Sequence, residues 1–219
     1  MKKYYPVMLD IQDKKCLVIG GGSVACRKVI SLLSYGAKIT VISPNINNEM
    51  KKFIESGKIE LILKEYNFEN IREYCLVFAA TGDKLLNKAI YEQAQPYNVL
   101  VNVVDDPEIC NFIVPAKFEQ GDLTVSVSTN GKSPTLAKKI CGELKNQFGS
   151  NYAVFLNLLG ELRLKAAKNI NNTDKRTELY KEIIDSDFLE RLKNEPEEQI
   201  REEISEIYKR YKANQRIKS

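Results

Sequence analysis

Three stretches of this sequence combine residue types that can do chemistry. The first is Gly20-Gly21-Gly22-Ser23-Val24-Ala25, which follows the apolar run Cys16-Leu17-Val18-Ile19 and leads into an amphipathic segment. In the pattern Gly20-x-Gly22-x-x-Ala25, the first glycine permits a tight turn and the second lets the backbone approach a pyrophosphate. The small third residue lets a helix pack close on its strand. The start of that helix offers N–H groups and partial positive charge to phosphates. The second stretch is Asn102-Val103-Val104-Asp105-Asp106-Pro107, two carboxylates at the end of an apolar run. The chain has no histidine, so the commonest general base and transition-metal ligand is missing. Proton transfer falls to a carboxylate, lysine, tyrosine or cysteine, and Asp105 is the best candidate. The competing reading of Asp-Asp-Pro is a turn that merely ends a strand.

The third stretch, Asn130-Gly131-Lys132-Ser133-Pro134, joins a flexible glycine and a cation to a capped helix start. It can grip a substrate carboxylate through Asn130, Lys132 and Ser133, or it can be an ordinary helix cap. Arg27, beside Lys28, reads either as part of an anionic-substrate surface or as a solvated face. A dinucleotide site of this type ordinarily carries an acid after the second strand for the ribose. Ser43-Pro44-Asn45 stands there instead, leaving the ribose to Ser43, Asn45 or backbone groups and the choice between NAD and NADP open. Thr81, at the end of a fourth strand, reads as a cofactor contact or a plain turn residue, and Asn87 as helix surface. The five cysteines, Cys16, Cys26, Cys75, Cys110 and Cys141, contain no Cys-x-x-Cys pair. They read as small, mostly buried residues, and no metal site is expected.

The elements that must position these residues alternate regularly. Short β-rich runs end at Ile19, Ile42, Leu63, Ala80 and Val104. Between them lie helical patterns over Ser23–Tyr35, from a cap at Asn45 to Gly57, over a short crossover Asn67–Tyr74, and over Lys84–Ala94. This is the pattern of a Rossmann-type doubly wound parallel sheet. The alternation then stops. Phe112–Phe118 and Leu123–Ser128 flank Glu119-Gln120-Gly121-Asp122 as a hairpin. A helix from Ser133-Pro134 to Phe148 follows, with Leu136, Ile140, Leu144 and Phe148 as its apolar side. Further helices are expected from Asn151, over Leu179–Leu192, and over Glu195–Tyr211.

The composition is that of a globular protein: 219 residues, 43% hydrophobic, 28% charged, net charge +4. That charge is too mild to suggest nucleic acid but suits an anionic small molecule. No apolar run approaches the ~20 residues of a membrane-spanning helix, and the N-terminus lacks a signal-peptide core, so a cytoplasmic location is expected.

Taken together, Tyr5-Pro6-Val7-Met8-Leu9-Asp10, VIGGGSVACRK, FAATGDKLLN, VNVVDDPEICNFIVPA and LTVSVSTNGKSPTLAKKI resemble, in order and spacing, the N-terminal module of siroheme synthase. This is the precorrin-2 dehydrogenase and sirohydrochlorin ferrochelatase family. The resemblance is dense from Tyr5 to Gly149 and loose beyond. It implies NAD-dependent oxidation of the tetrapyrrole precorrin-2 to sirohydrochlorin, with Fe²⁺ insertion in some relatives. It implies an NAD-binding domain over 1–111, a dimerisation region over 112–149 that makes a homodimer, and a helical domain over 150–219. It puts the catalytic aspartate on Asp105. Cofactor contacts fall on Gly20, Gly21, Gly22, Ser23 and Val24 and on Ser43, Pro44 and Asn45. With a polycarboxylate substrate, Lys132, Arg27 and the helix start at Ser133 become candidate clamps. A nucleotide sensor without turnover, or an oxidoreductase for another anionic substrate, are the alternatives.

Overall fold

The computed structural model describes residues 2–213. The chain forms two compact units, Met1–Val114 and Pro115–Ser219.

In the first unit, strands β1 (Lys15–Ile19), β2 (Lys38–Ile42), β3 (Ile59–Ile62), β4 (Leu76–Ala79) and β5 (Leu100–Val103) form one parallel sheet. Their order is β3-β2-β1-β4-β5. Alternate residues of β1 feed opposite cores: Cys16 and Val18 pack with Val29, Met50 and Phe78, whereas Leu17 and Ile19 pack with Val77, Ile90 and Ala94. Both faces of the sheet are covered, as a parallel sheet requires. Helices α1 (Ser23–Leu33) and α2 (Asn48–Glu55) supply one cover and α3 (Lys84–Ala94) the other. The order reverses between β1 and β4, so the switch point, where ligands of such sheets collect, lies beyond their carboxyl ends.

Two local expectations change. The cap of α2 is Asn47, whose Oδ1 accepts the Met50 N–H at 2.8 Å. Asn45 is held in a different turn, its carbonyl accepting the Ser43 hydroxyl. The crossover over Asn67–Tyr74 contains only a 3-10 turn at Ile71–Glu73, because Phe68 takes φ +53 and interrupts any right-handed run.

The second unit begins with the hairpin β6 (Ala116–Gln120) and β7 (Leu123–Val127), followed by α4 (Pro134–Gln147), α5 (Ser150–Asn169), α6 (Thr173–Ile184), α7 (Phe188–Arg191) and α8 (Glu197–Ala213). The first hairpin strand starts at Ala116 rather than Phe112. Phe112 instead meets Phe78 edge-on, with ring centroids 5.5 Å apart. In α4 the buried residues are Ala137 and Cys141, while Leu136 is 49% exposed. The single helix expected over Leu179–Leu192 is two, because Asp185 caps α6 and the Ser186 hydroxyl accepts the Phe188 N–H at the start of α7. Leu158, Leu162, Leu179, Ile183, Ile200 and Ile204 close the core among these helices.

Each unit yields a stability test. Gly20 has φ +119, and a Cβ there would lie 2.3 Å from the Ala80 carbonyl oxygen. Gly20→Ala is expected to cost at least about 2 kcal/mol, from backbone strain plus overpacking, as a lower urea midpoint. Ile183 is fully buried, and Ile183→Ala should cost roughly 2–5 kcal/mol in the unfolding of the helical unit followed by circular dichroism.

Candidate functional site

The sheet ladder continues one residue past four strands. Gly20 N–H donates to Ile42 O (2.9 Å), Ser43 N–H to Ile62 O (3.3 Å), Ala80 N–H to Ile19 O (2.8 Å) and Val104 N–H to Ala79 O (3.0 Å). These bonds anchor four loops at one edge of the first unit. The sequence-derived residues Gly20, Gly21, Gly22, Ser23, Val24, Ser43, Pro44, Asn45, Thr81 and Asp105 all lie on those loops or on the start of α1. Asn130, Lys132 and Ser133 belong to the second unit, in the turn that opens α4.

The three glycines do different work. A Cβ on Gly20 would strike Ala80 O, and one on Gly21 would lie 1.8 Å from Asn45 O. Gly21 O also accepts the Asn47 N–H at 2.9 Å. A Cβ on Gly22 would meet nothing within 4 Å, so its absence leaves open space over the start of α1. Gly22 is the N-cap residue, provides no side-chain cap, and no acid sits in the first turn. By contrast α2, α3, α4 and α6 are capped by the side chains of Asn47, Asp83, Ser133 and Asn172. Space, first-turn N–H groups without a side-chain cap and the lack of an acid in the helix's own first turn fit a dinucleotide pyrophosphate.

After β2, Ser43 is 5% exposed. Its hydroxyl donates to Asn45 O at 2.6 Å and accepts the Asn45 N–H at 3.4 Å, which commits it to the turn. Pro44 and Asn45 are exposed beside it.

After β4, the structure corrects the reading of Asn87. Far from being helix surface, it is 5% exposed. Its Oδ1 accepts the Thr81 hydroxyl at 2.7 Å and the Thr81 N–H at 3.3 Å, while its Nδ2 donates to Thr81 O at 3.1 Å. Thr81 Oγ1 also accepts the Asp83 N–H at 3.1 Å, and Asp83 caps α3 by accepting from Leu85 and Leu86. The sequence holds a signal for this. A side chain four residues past an Asp N-cap leans back over the first turn toward the loop that precedes it.

After β5, Asp105 sits at φ +61, a left-handed conformation uncommon for a side-chain residue, and is exposed together with Asp106. The turn is clamped from beneath by Cys110. The Cys110 Sγ accepts the Val103 N–H at 3.1 Å and lies 3.2 Å from both Val103 O and Asp106 O. Burial pushes the Cys110 thiol up, keeping it protonated and able to donate to one of those carbonyls. Asn102 Nδ2 donates to Phe112 O at 3.1 Å. Asn111 pairs with the outer edge of β5, accepting the Val101 N–H at 2.6 Å and donating to Val99 O at 2.8 Å. Lys2 Nζ donates to Cys110 O at 3.0 Å and also reaches Glu108 O.

One further cation belongs to this region. Lys28 is half-buried, its Nζ 5.3 Å from the Phe78 ring centroid. Burial and neighbouring Arg27 push the Lys28 ammonium pKa down, while Cys110 and Asp105 pull it up. Lys28 therefore stands in the field of Asp105, whereas Arg27 is exposed. In the second unit, Asn130 (φ +51) and Gly131 (φ +80) turn the chain. Ser133 Oγ accepts the Leu136 N–H at 3.3 Å, and Lys132 is exposed.

A family profile described as putative NAD(P)-binding matches residues 7–116, and one described as sirohaem biosynthesis protein central matches residues 120–147. The siroheme synthase of Psychrobacter arcticus is 38% identical over 159 residues, which is 73% of this chain and 29% of that protein. The siroheme synthase of Photobacterium profundum is 31% identical over 201 residues, 92% of this chain and 43% of that one. The chain thus spans less than half the length of these relatives. A solved structure described as SirC, precorrin-2 dehydrogenase, superposes with a TM-score of 0.76 at 28% identity, covering 93% of this chain and 100% of that one. With the glycine turn and the Asp105 turn on one sheet edge and both profiles matched in sequence order, the chain belongs to the family of the siroheme-synthase N-terminal module.

Proposed function

We propose that the chain oxidises precorrin-2 to sirohydrochlorin with NAD⁺ as hydride acceptor, a step of siroheme biosynthesis. The observation that carries this reading is the meeting, on one edge of one sheet, of an uncapped glycine turn and a carboxylate on a backbone turn held by Cys110. Relatives named siroheme synthase and precorrin-2 dehydrogenase support the substrate.

When bound, NAD⁺ supplies a hydride acceptor at its nicotinamide C4. Gly20 and Gly21 shape the turn, and the first-turn N–H groups of α1 at Ser23 and Val24, with the open space at Gly22, would hold the pyrophosphate. Pro44 and Asn45 would hold the adenosine ribose, with Ser43 fixing their turn. Thr81 forms the wall after β4. The oxidation removes a hydride and a proton from adjoining positions of the macrocycle, and Asp105 accepts the proton. The substrate carries many carboxylates on a flat apolar ring. Arg27 in the first unit and Lys132 in the second are each candidate cations for those carboxylates, and Asn130 and Ser133 shape the turn that carries Lys132. Insertion of Fe²⁺ into sirohydrochlorin belongs to the same reading. Two pyrrole protons leave as the metal enters, and Asp105 is the carboxylate that takes them up one at a time, releasing the first to water before it accepts the second.

The protein acts in the cytoplasm as a homodimer built through 112–149, with the helices of 150–219 forming its remaining domain. Among the described residues no helix is long and apolar enough to cross a membrane. A nucleotide sensor needs the glycine turn but has no use for a clamped Asp105, which favours the enzyme.

Appearance of the sirohydrochlorin absorption on adding precorrin-2 and NAD⁺ tests the reading directly. Asp105→Asn should lower kcat by about 10²–10⁴-fold, and Fe²⁺ insertion assayed without NAD⁺ should fall with it. An Asp105→Asn enzyme as fast as the parent would remove Asp105 from the chemistry. Lys132→Ala should raise the KM for precorrin-2 about two- to fivefold at low salt, an effect that disappears as added salt screens the charge. An unchanged KM at low salt would exclude Lys132 as a substrate clamp.

A further inference from the structure

Thr81 lies one residue beyond the last ladder bond of β4, where the adjoining strands have ended and no backbone remains to pair with it. Its N–H and C=O are nevertheless both engaged, by Oδ1 and Nδ2 of Asn87, which thereby takes the place of a neighbouring strand. The Thr81 hydroxyl, at 2.7 Å from the same Oδ1, completes the set. Each polar group of Thr81 thus bonds to a side chain that is itself nearly inaccessible to solvent, and the hydroxyl in addition meets the Asp83 backbone. At an interior helix position, asparagine is a poorer helix former than alanine or leucine, and burying its amide is costly without partners. The position therefore trades helix stability for one fixed shape of the loop before the helix.

That loop is in backbone contact with the glycine turn. Ala80 N–H donates to Ile19 O at 2.8 Å, and the space where a Gly20 Cβ would stand is occupied by Ala80 O at 2.3 Å and bounded by Thr81 N at 3.2 Å. Thr81 N thus stands 3.2 Å from the position a Gly20 Cβ would take, and in a close-packed interior a displacement of Thr81 is transmitted to the glycine turn.

We propose that Asn87 is a positioning residue for the dinucleotide. By locking Thr81 in the unliganded protein, it holds the β4 loop and the glycine turn in the arrangement that binds the cofactor, and so sets cofactor affinity rather than the rate of the chemical step. This deepens the dehydrogenase reading above and rests on its assignment of the glycine turn to NAD⁺.

The test is calorimetric titration of NAD⁺ into the parent and Asn87→Ala, in the absence of precorrin-2, with thermal unfolding recorded for each. Loss of the buried hydrogen bonds is expected to weaken NAD⁺ binding by about tenfold or more. In turnover the KM for NAD⁺ should rise in proportion, while kcat at saturating cofactor falls far less. Hydrogen exchange at the Thr81 amide should accelerate in the variant without NAD⁺ present. If Asn87→Ala is folded and binds NAD⁺ as tightly as the parent, Asn87 is only a structural residue and the proposal is overturned, whatever its melting temperature. Should Asn87→Ala fail to fold, Asn87→Asp, which keeps an acceptor for Thr81 but loses the Nδ2 donor to Thr81 O, is read by the same titration. It is expected to bind several-fold more weakly, and unchanged affinity overturns the proposal. If the parent itself binds no NAD⁺, the dinucleotide reading fails first, and this inference falls with it.

Discussion

The site depends on a steric constraint: at the carboxyl edge of the sheet, backbones approach so closely that there is no room for a side chain. Where Gly20 and Gly21 stand, any Cβ would collide with the carbonyl oxygens of Ala80 and Asn45. Neither obstacle is the flexible end of a side chain that could swing away. The turn after β1 is therefore pressed between the turn after β4 and the turn after β2, and the position of each fixes the others. Gly22 shows the opposite geometry, open space, and that contrast within three consecutive residues separates scaffold from binding surface. Two glycines are needed for what is already packed against them, and the third for what it leaves room for.

Beyond the ladder, the same edge is held by side chains that imitate strands. A parallel sheet leaves unpaired backbone groups where its strands end, and buried ones must find partners. Asn87 serves Thr81, Asn111 serves the outer edge of β5, Asn102 serves Phe112, and the Cys110 thiol serves Val103 and Asp106. Rigid placement results without extra sheet. Asp105 benefits directly. A residue at φ +61 is held there only where its surroundings over-determine the backbone, and the Cys110 bonds at both ends of the turn supply that restraint.

The β/α alternation, the glycine turn and the carboxylates at the end of β5 were legible in the sequence because each rests on local rules: apolar period, glycine placement and the end of an apolar run. What was not legible depended on contacts distant in the chain or on choices between equivalent neighbours. Asn45 and Asn47 are equally good caps by type, and the bonds of the Ser43 hydroxyl to Asn45 O and of the Asn47 N–H to Gly21 O fix the turn that leaves Asn47 as the cap. Phe112 looks like a strand residue until its ring meets Phe78 across the first core. Asn87 looks like helix surface because asparagine usually is, and its burial follows from the loop that it must pair. The Asp185-Ser186-Asp187 interruption was visible as polar residues, but the apolar residues on either side continue a helical period, and capping outweighs that period.

Charge around the site follows from the same economy of residues. With no histidine in the chain, a carboxylate is the natural proton acceptor at the edge, yet the substrate and cofactor proposed for it are themselves anionic. The start of α1 carries no acid, and Arg27 and Lys28 lie one turn further along the same helix. Lys28 tolerates partial burial because the Phe78 ring face and the negative charge of Asp105 partly offset its lost hydration. With anionic ligands beside Asp105, as proposed, that lysine would keep the region from becoming uniformly negative, and it would do so from the helix that starts at the glycine turn. The turn proposed to admit a pyrophosphate thus also sets the place of a cation that feels the charge of the proposed base.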